Sequence, residues 1–258
     1  MNKTLLALSF ATLPMAGFAD VTVYGKANVS FQSTDEKGDS VSELVSNASR
    51  IGVKGSEQLT DGLKAIYKFE YEVHLDDGDI DGRTFTQRNI YVGLQGSAGT
   101  VIAGKFDTPL KVAQKKIDLF NDLEGDIKSI ITKNDNRESN SVMYTTPKSM
   151  GPFKASVAYI ASEEDDRDDG TSLSLAYDQN GIYLAVAYDQ DVEKESADVF
   201  RVVGQFTIGP VQLGALYEDQ DAGDSSLLDD DGWVVSAKYK MTDKIALKAK
   251  YGESDMVK

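Results

Sequence analysis

A two-residue rhythm of hydrophobicity runs along almost the whole chain. In Val21-Thr22-Val23-Tyr24-Gly25-Lys26-Ala27-Asn28-Val29-Ser30-Phe31, odd positions are apolar or small and even positions mostly polar. The alternation returns in Ile182-Tyr183-Leu184-Ala185-Val186-Ala187-Tyr188, in Trp233-Val234-Val235-Ser236-Ala237-Lys238-Tyr239 and in Ile245-Ala246-Leu247-Lys248-Ala249-Lys250-Tyr251. Successive side chains of a β-strand point to opposite faces, so each segment is predicted as a strand with one apolar and one wet face. About thirteen strands are expected, near 21–32, 48–56, 63–74, 84–95, 100–106, 138–146, 152–161, 171–179, 182–189, 199–208, 211–219, 232–241 and 245–252.

The connections alternate in character. One set is short and rich in turn formers: Gly96-Ser97-Ala98-Gly99, Lys148-Ser149-Met150-Gly151, Gln179-Asn180-Gly181, Gly209-Pro210 and Thr242-Asp243-Lys244. The other is longer and acidic, including Asp76 to Asp81, Glu163 to Asp169 and Asp219 to Asp231. Tight turns at one rim and long loops at the other fit an all-β, antiparallel, up-and-down transmembrane barrel. A secreted β-sandwich adhesin or binding module would also alternate, but its connections need not segregate by length.

Composition narrows the choice. Lys3, the apolar run from Leu5 to Phe18 and the small residues Gly17 and Ala19 read as a secretory signal over residues 1–19, cut before Asp20. No later run of about 18 apolar residues offers a membrane-spanning helix. Cysteine is absent, so the exported chain uses no disulfides. Without Lys3, 26 basic residues face 42 acidic ones, a net charge of −16 that excludes a nucleic-acid partner. The mean hydropathy of −0.33 suits a barrel, in which only one face of each strand meets lipid.

Six segments carry a family resemblance: Val23-Tyr24-Gly25-Lys26, Ser49-Arg50-Ile51-Gly52-Val53-Lys54-Gly55, Leu63-Lys64-Ala65-Ile66-Tyr67, Arg88-Asn89-Ile90-Tyr91-Val92-Gly93-Leu94, Gly99-Thr100-Val101-Ile102-Ala103-Gly104-Lys105 and Asn140-Ser141-Val142-Met143-Tyr144. In order and spacing they resemble the general diffusion porins of Gram-negative outer membranes, from Asp20 to the end. The resemblance implies a sixteen-stranded barrel, trimeric and water-filled, whose third external loop folds into the lumen. Its partners would be two further copies of the chain, outer-membrane lipid and lipopolysaccharide, and small hydrophilic solutes and ions. With about thirteen strands and an ending at Lys258 rather than on an aromatic residue, residues 20–258 are expected to lack the C-terminal strands of the barrel.

The residues mark the third loop independently. About thirty residues between Lys105 and Glu138 show no strand alternation, far beyond an ordinary connection. Asp118, Asp122, Glu124 and Asp126 lie there, and the aspartates fall four apart, so a helical turn would present them on one side. By parity Lys26, Arg50 and Lys54 lie on the wet face of the first two strands, and Arg88 and Arg137 take inward positions further on. In the resembling porins acidic loop residues face basic wall residues across the narrowest point, where a transverse field filters solutes. The acidic side of the constriction is therefore assigned to Asp118, Asp122, Glu124 and Asp126. The basic side is assigned to Lys26, Arg50, Lys54, Arg88 and Arg137.

Other patterns lead away from chemistry. Asp77-Gly78-Asp79-Ile80-Asp81-Gly82 begins like a calcium loop, but Arg88 occupies the twelfth position, leaving only weak divalent binding by Asp77, Asp79 and Asp81. Gly99 to Lys105 has a phosphate-loop outline, yet Phe106 replaces the required hydroxyl residue. His74 stands alone, so no histidine cluster or relay can form and no catalytic constellation is present. Lys64, Lys68, Glu70 and Glu72 alternate inward and are read as solvating the wall. Tyr67, Tyr71, Tyr91, Tyr144, Tyr159, Tyr188, Tyr217, Tyr239 and Tyr251 fall mostly on lipid-facing parity, as interfacial girdles do. The expectation is a passive outer-membrane channel without catalysis or cofactor, moderately cation-selective. The alternative is a sugar- or anion-selective channel of the same barrel class, which Lys111, Lys115 and Lys116 keep open.

Overall fold

The computed structural model describes residues 20–36, 39–79, 81–115, 117–163, 168–192, 197–221 and 230–255. The signal segment, Lys116 and the centres of the later acidic loops lie outside them.

The strands are β1 (Asp20–Lys26), β2 (Val29–Glu36), β3 (Asp39–Ser46), β4 (Arg50–Thr60), β5 (Leu63–Val73), β6 (Phe85–Gly96), β7 (Gly99–Asp107), β8 (Arg137–Thr145), β9 (Phe153–Ile160), β10 (Gly170–Gln179), β11 (Ile182–Gln190), β12 (Asp198–Ile208), β13 (Val211–Asp221), β14 (Asp230–Lys240) and β15 (Ala246–Ser254). Thirteen of them form one sheet in the order β1-β4-β5-β6-β7-β8-β9-β10-β11-β12-β13-β14-β15, each pair antiparallel, while β2 and β3 pair separately. Short turns such as Asn180-Gly181, with φ of 53° and 77°, join strands at one end, as a primed hairpin turn requires.

The expected strand over 21–32 breaks at Ala27 and Asn28. There the Asn28 N–H donates to Ser49 Oγ at 2.9 Å and Ser49 Oγ donates back to the Asn28 carbonyl at 3.0 Å. Side-chain bonds replace the ladder, Ala48 takes a φ of 49°, and the chain continues as the β2–β3 hairpin, where the alternation predicts the end of the first strand, to 32, and then a loop.

Alternation sorts the wall into two faces. On β11, Ile182, Leu184 and Val186 are exposed, while Tyr183, Ala185 and Ala187 are buried. The burial comes from the segment between β7 and β8, which crosses the space the sheet encloses. It reaches β1 through Lys26 and β15 through Lys250, so the sheet curls around it as an up-and-down barrel wall.

Parity fails once in β6, with consequences. Phe69 pairs with Ile90 but Tyr71 pairs with Gln87, so Arg88 and Asn89 together oppose Glu70. Such a bulge turns two consecutive side chains to the same face. It brings both Arg88 and Asn89 into the lumen and carries Tyr91 with them, correcting the lipid-facing expectation for that tyrosine; Tyr91 packs against an inner cluster around Ile102 and Phe106.

Candidate functional site

The crossing segment is held by its own caps and by the wall. Thr108 Oγ1 accepts from Lys111 N at 3.2 Å, and Pro109 opens a short helix, α1 (Pro109–Ala113). Asp126 caps a 3₁₀ turn (Ile127–Ser129), accepting from Lys128 N at 3.0 Å and from Asp122 N at 2.8 Å. Leu110, Ile117, Ile127 and Ile131 are completely buried against Tyr183, Ala185, Val203, Leu216 and Val234. Each is worth about 1.5–3 kcal/mol of hydrophobic burial. Small wall residues make the room: a Cβ on Gly214 would stand 2.9 Å from Ile117 Cδ1.

Polar anchors complete the docking. The Arg201 guanidinium, with no exposed surface, pairs with Glu218 and with Asp135 at 3.4 Å, and donates to the Leu110 carbonyl at 3.1 Å. Glu218 also accepts from Thr132 and, at 2.9 Å, from Asn134. Tyr183 Oη donates to the Ala113 carbonyl at 2.8 Å. From β15, Lys248 donates to the Leu119 carbonyl at 3.0 Å and Lys250 pairs with Asp118.

The free side of the segment faces β1, β4, β5, β6 and β8. Asp122, at a φ of 66°, sets one carboxylate oxygen 3.1 Å from Lys26 Nζ and 2.9 Å from an Arg50 nitrogen. Behind it Glu70, 4% exposed, collects Tyr24 Oη at 2.7 Å, Lys68 at 3.1 Å, Arg88 at 3.3 Å and Arg50 at 3.9 Å. Arg88 reaches Glu72 as well. Arg137 pairs with Asp107 at 2.8 Å, and Lys111 reaches the same carboxylate at 3.4 Å. Burial pushes the Lys111 ammonium below its ordinary range, and the carboxylates of Asp107 and Asp135 oppose that shift. Between these groups lies a cavity of about 260 Å³ lined by Arg50, Arg88, Lys111, Asp122, Asp126 and Arg137, among others.

Of the nine residues assigned to the constriction, the structure gathers Arg50, Arg88, Arg137, Asp122 and Asp126 around this cavity, with Lys26 bonded to Asp122. Lys54 lies further along β4, its ammonium 5.6 Å from the Tyr24 ring centroid. Glu124 accepts from Gln32 of β2 at 3.3 Å, so the hairpin touches the tip of the crossing segment. Asp118 departs from its assignment. Residues 118–126 form turns rather than the expected helical turn: the Asp126 carboxylate accepts from Asp122 N and caps the following 3₁₀ turn, while the Asp122 carboxylate turns to Lys26 and Arg50. Asp118 is consequently 7% exposed and points away, to Lys250. Burial pushes its carboxyl up from its ordinary value, while the Lys250 ammonium pulls it down.

Nothing in the sequence pattern marks Asp107, Asn89, Glu218, Lys248 or Lys250 as members of this site, and the alternation gives Glu70 only as a solvating wall residue. A signal did exist for Arg201: an inward-parity arginine between Val199 and Val203, on a wall otherwise apolar there. Among the described residues no group of three or more acidic, histidine or cysteine side chains can hold a metal, so the weak divalent site at Asp77, Asp79 and Asp81 gains no support.

Comparison with known proteins agrees with this architecture. Residues 4–257 match the family model described as Gram-negative porin. The chain is 31% identical over 257 residues to the major outer membrane protein P.IB of Neisseria gonorrhoeae, an alignment covering 86% of this chain and 72% of that protein. The corresponding P.IB protein of Neisseria lactamica is also 31% identical, over 250 residues, with the same coverage of each chain. Among solved structures, OmpF of Salmonella typhi in complex with daunomycin superposes with a TM-score of 0.74 at 18% identity, covering 91% of this chain and 78% of that one. A loop-deletion variant of OmpT, an outer membrane protein of Vibrio cholerae, superposes with a TM-score of 0.68 at 22% identity, covering 92% and 83%.

Proposed function

Since the chain belongs to the Gram-negative porin family and is therefore an outer-membrane diffusion channel rather than an enzyme, we propose that it works as a homotrimer of water-filled pores with a moderate preference for cations. Its solutes are small and hydrophilic, and its exposed apolar face meets outer-membrane lipid and lipopolysaccharide. The long loops lie outside the cell and the short turns in the periplasm.

One observation carries the selectivity reading: the basic wall is already compensated. Arg50 and Lys26 meet Asp122, Arg88 meets Glu70 and Glu72, and Arg137 and Lys111 share Asp107. These pairs set five cations against four carboxylates, so the fixed charge of the wall is largely offset and the surrounding field weighs on the choice; the chain carries 42 acidic residues against 27 basic ones. Asp122 and Asp126 supply the acidic side of the constriction, Arg50, Arg88 and Arg137 the basic side, and the opposed charges set a transverse field across it.

Reversal potentials across a salt gradient test this. The channel should pass potassium more readily than chloride at low salt. Asp122→Asn should shift the reversal potential towards anions, and Arg88→Gln towards cations. Both shifts should shrink near molar salt, where the Debye length is about 3 Å. Preferential chloride passage at low salt would favour the anion-selective alternative, which the presence of Lys111, Lys115 and Lys128 around the same cavity supports.

A further inference from the structure

We propose that the wall immediately below the constriction holds a resting site for small amphipathic anions, a carboxylate carried on a compact apolar or aromatic body. The inference rests on the channel reading above and adds a ligand class to it.

A second cavity, about 210 Å³, opens where the underside of α1 meets β9, β10 and β11. It lies on the route through the pore. It shares Val112 and Lys115 with the constriction cavity, and Pro152, Lys154 and Asp178 with a vestibule of about 820 Å³ at the short-turn rim. A solute leaving the constriction on this side passes it before reaching the periplasmic mouth.

Its lining is unlike the constriction. Val112, Pro152, Ala176 and the Tyr183 ring give an apolar concavity within an otherwise polar lumen. Val112 is 48% exposed, an apolar side chain presented to the passage. The charges are unequal. Lys115 pairs with Asp178 and lies 4.2 Å from the Tyr183 ring centroid, which consumes both of those charges. Lys154, inward on β9 opposite Ala176, has no ion pair or hydrogen bond among the described residues. Lys115 itself sits at a φ of 47°, an uncommon backbone conformation for a non-glycine residue. It is held there while Tyr183 bonds the Ala113 carbonyl two residues earlier.

One uncompensated ammonium beside an apolar hollow selects a guest with both features, because either contact alone is open to water and salt. The volume falls below that of drug-sized pockets, so the guest is compact. Benzoate has these features; acetate lacks the body and benzamide lacks the charge.

The test uses the protein purified from outer membranes and inserted into planar bilayers at about 0.1 M salt, with each probe added to either side. Benzoate should interrupt the current with residence times at least fivefold longer than acetate or benzamide. Lys154→Gln should bring benzoate to the level of benzamide, and Val112→Ser should bring it towards acetate, each residence time being compared with those of acetate and benzamide in the same variant. Equal residence times for benzoate and acetate would overturn the site. So would an unchanged benzoate block in Lys154→Gln. Loss of that block in Arg50→Gln but not in Lys154→Gln would move the guest into the constriction and refute the assignment. A preparation that conducts no ions would instead refute the channel reading itself.

Discussion

Arg201→Met removes a fully buried cation from the junction between the crossing segment and the wall. Arg201, Glu218 and Asp135 show no side-chain exposure there, and the arginine also holds the Leu110 carbonyl. Methionine fills the space of the aliphatic stem but leaves two carboxylates buried without a counter-charge. Breaking a buried pair from one side costs about 3–5 kcal/mol. The penalty falls on the segment, since Glu218 lies on the continuous β13 ladder and residues 108–136 are free to move away from it. The ratio of docked to released segment should fall by a hundredfold to a few thousandfold, on the order of tenfold per 1.4 kcal/mol. Single-channel records should therefore show flickering and variable conductance levels, and hydrogen exchange should accelerate in residues 108–136 while β11 to β14 stay protected. Arg201→Met with Glu218→Leu removes the closer pair, leaves Asp135 as the single buried carboxylate, and should recover part of the quiet trace, as apolar replacement of buried pairs does. Unchanged noise and exchange in Arg201→Met would refute the anchoring role. A double variant no quieter than the single would refute its electrostatic origin.

Four further outcomes follow from the same geometry. Asp118→Asn should raise current noise yet leave the reversal potential close to that of the parent channel, because this carboxylate meets Lys250 rather than the aperture. Gly52→Ala should weaken the barrel by about 1–3 kcal/mol, since a Cβ there would stand 2.5 Å from Tyr24 Cζ and push the ring off Glu70; thermal unfolding followed by gel mobility reads it. Asp76 accepts from Ser46 N at 2.8 Å, and that bond holds its carboxyl below the usual range. Its tie to the β2–β3 hairpin is thus present above the ordinary carboxylate value of about 4 and is lost as pH falls through the lower folded value; hydrogen exchange of residues 39–46 against pH should show the loss, and Asp76→Asn should abolish it. Cysteine introduced at Asp77 should react with an impermeant label on intact cells and cysteine at Asn180 should not; equal labelling would refute the orientation.

Much of the barrel is local information. A two-residue alternation is a property of each strand alone, so thirteen expected strands coincide with the thirteen of the main sheet, most boundaries within about two residues. Turn chemistry such as Asn180-Gly181 is equally local, and the long non-alternating stretch announces the crossing segment by failing the pattern. Parity puts Arg50, Arg88 and Arg137 on the wet face, whereas the placing of Asp122 beside them on one cavity is a property of the folded loop.

Which of two lumenal environments an inward side chain meets was decided only by the tertiary structure. Asp118 and Asp122 are four residues apart and chemically alike, yet one is buried against Lys250 and the other sits between Lys26 and Arg50. Their fates depend on how the segment packs on Gly214, Ala185 and Val203, a fit of shapes without any sequence period. The bulge that turns both Arg88 and Asn89 inward depends on pairing with β5, and Arg201 finds Leu110 across 91 residues of chain. Alternation fixes the face a residue takes. Contacts between distant segments determine whether that face meets water, lipid or protein.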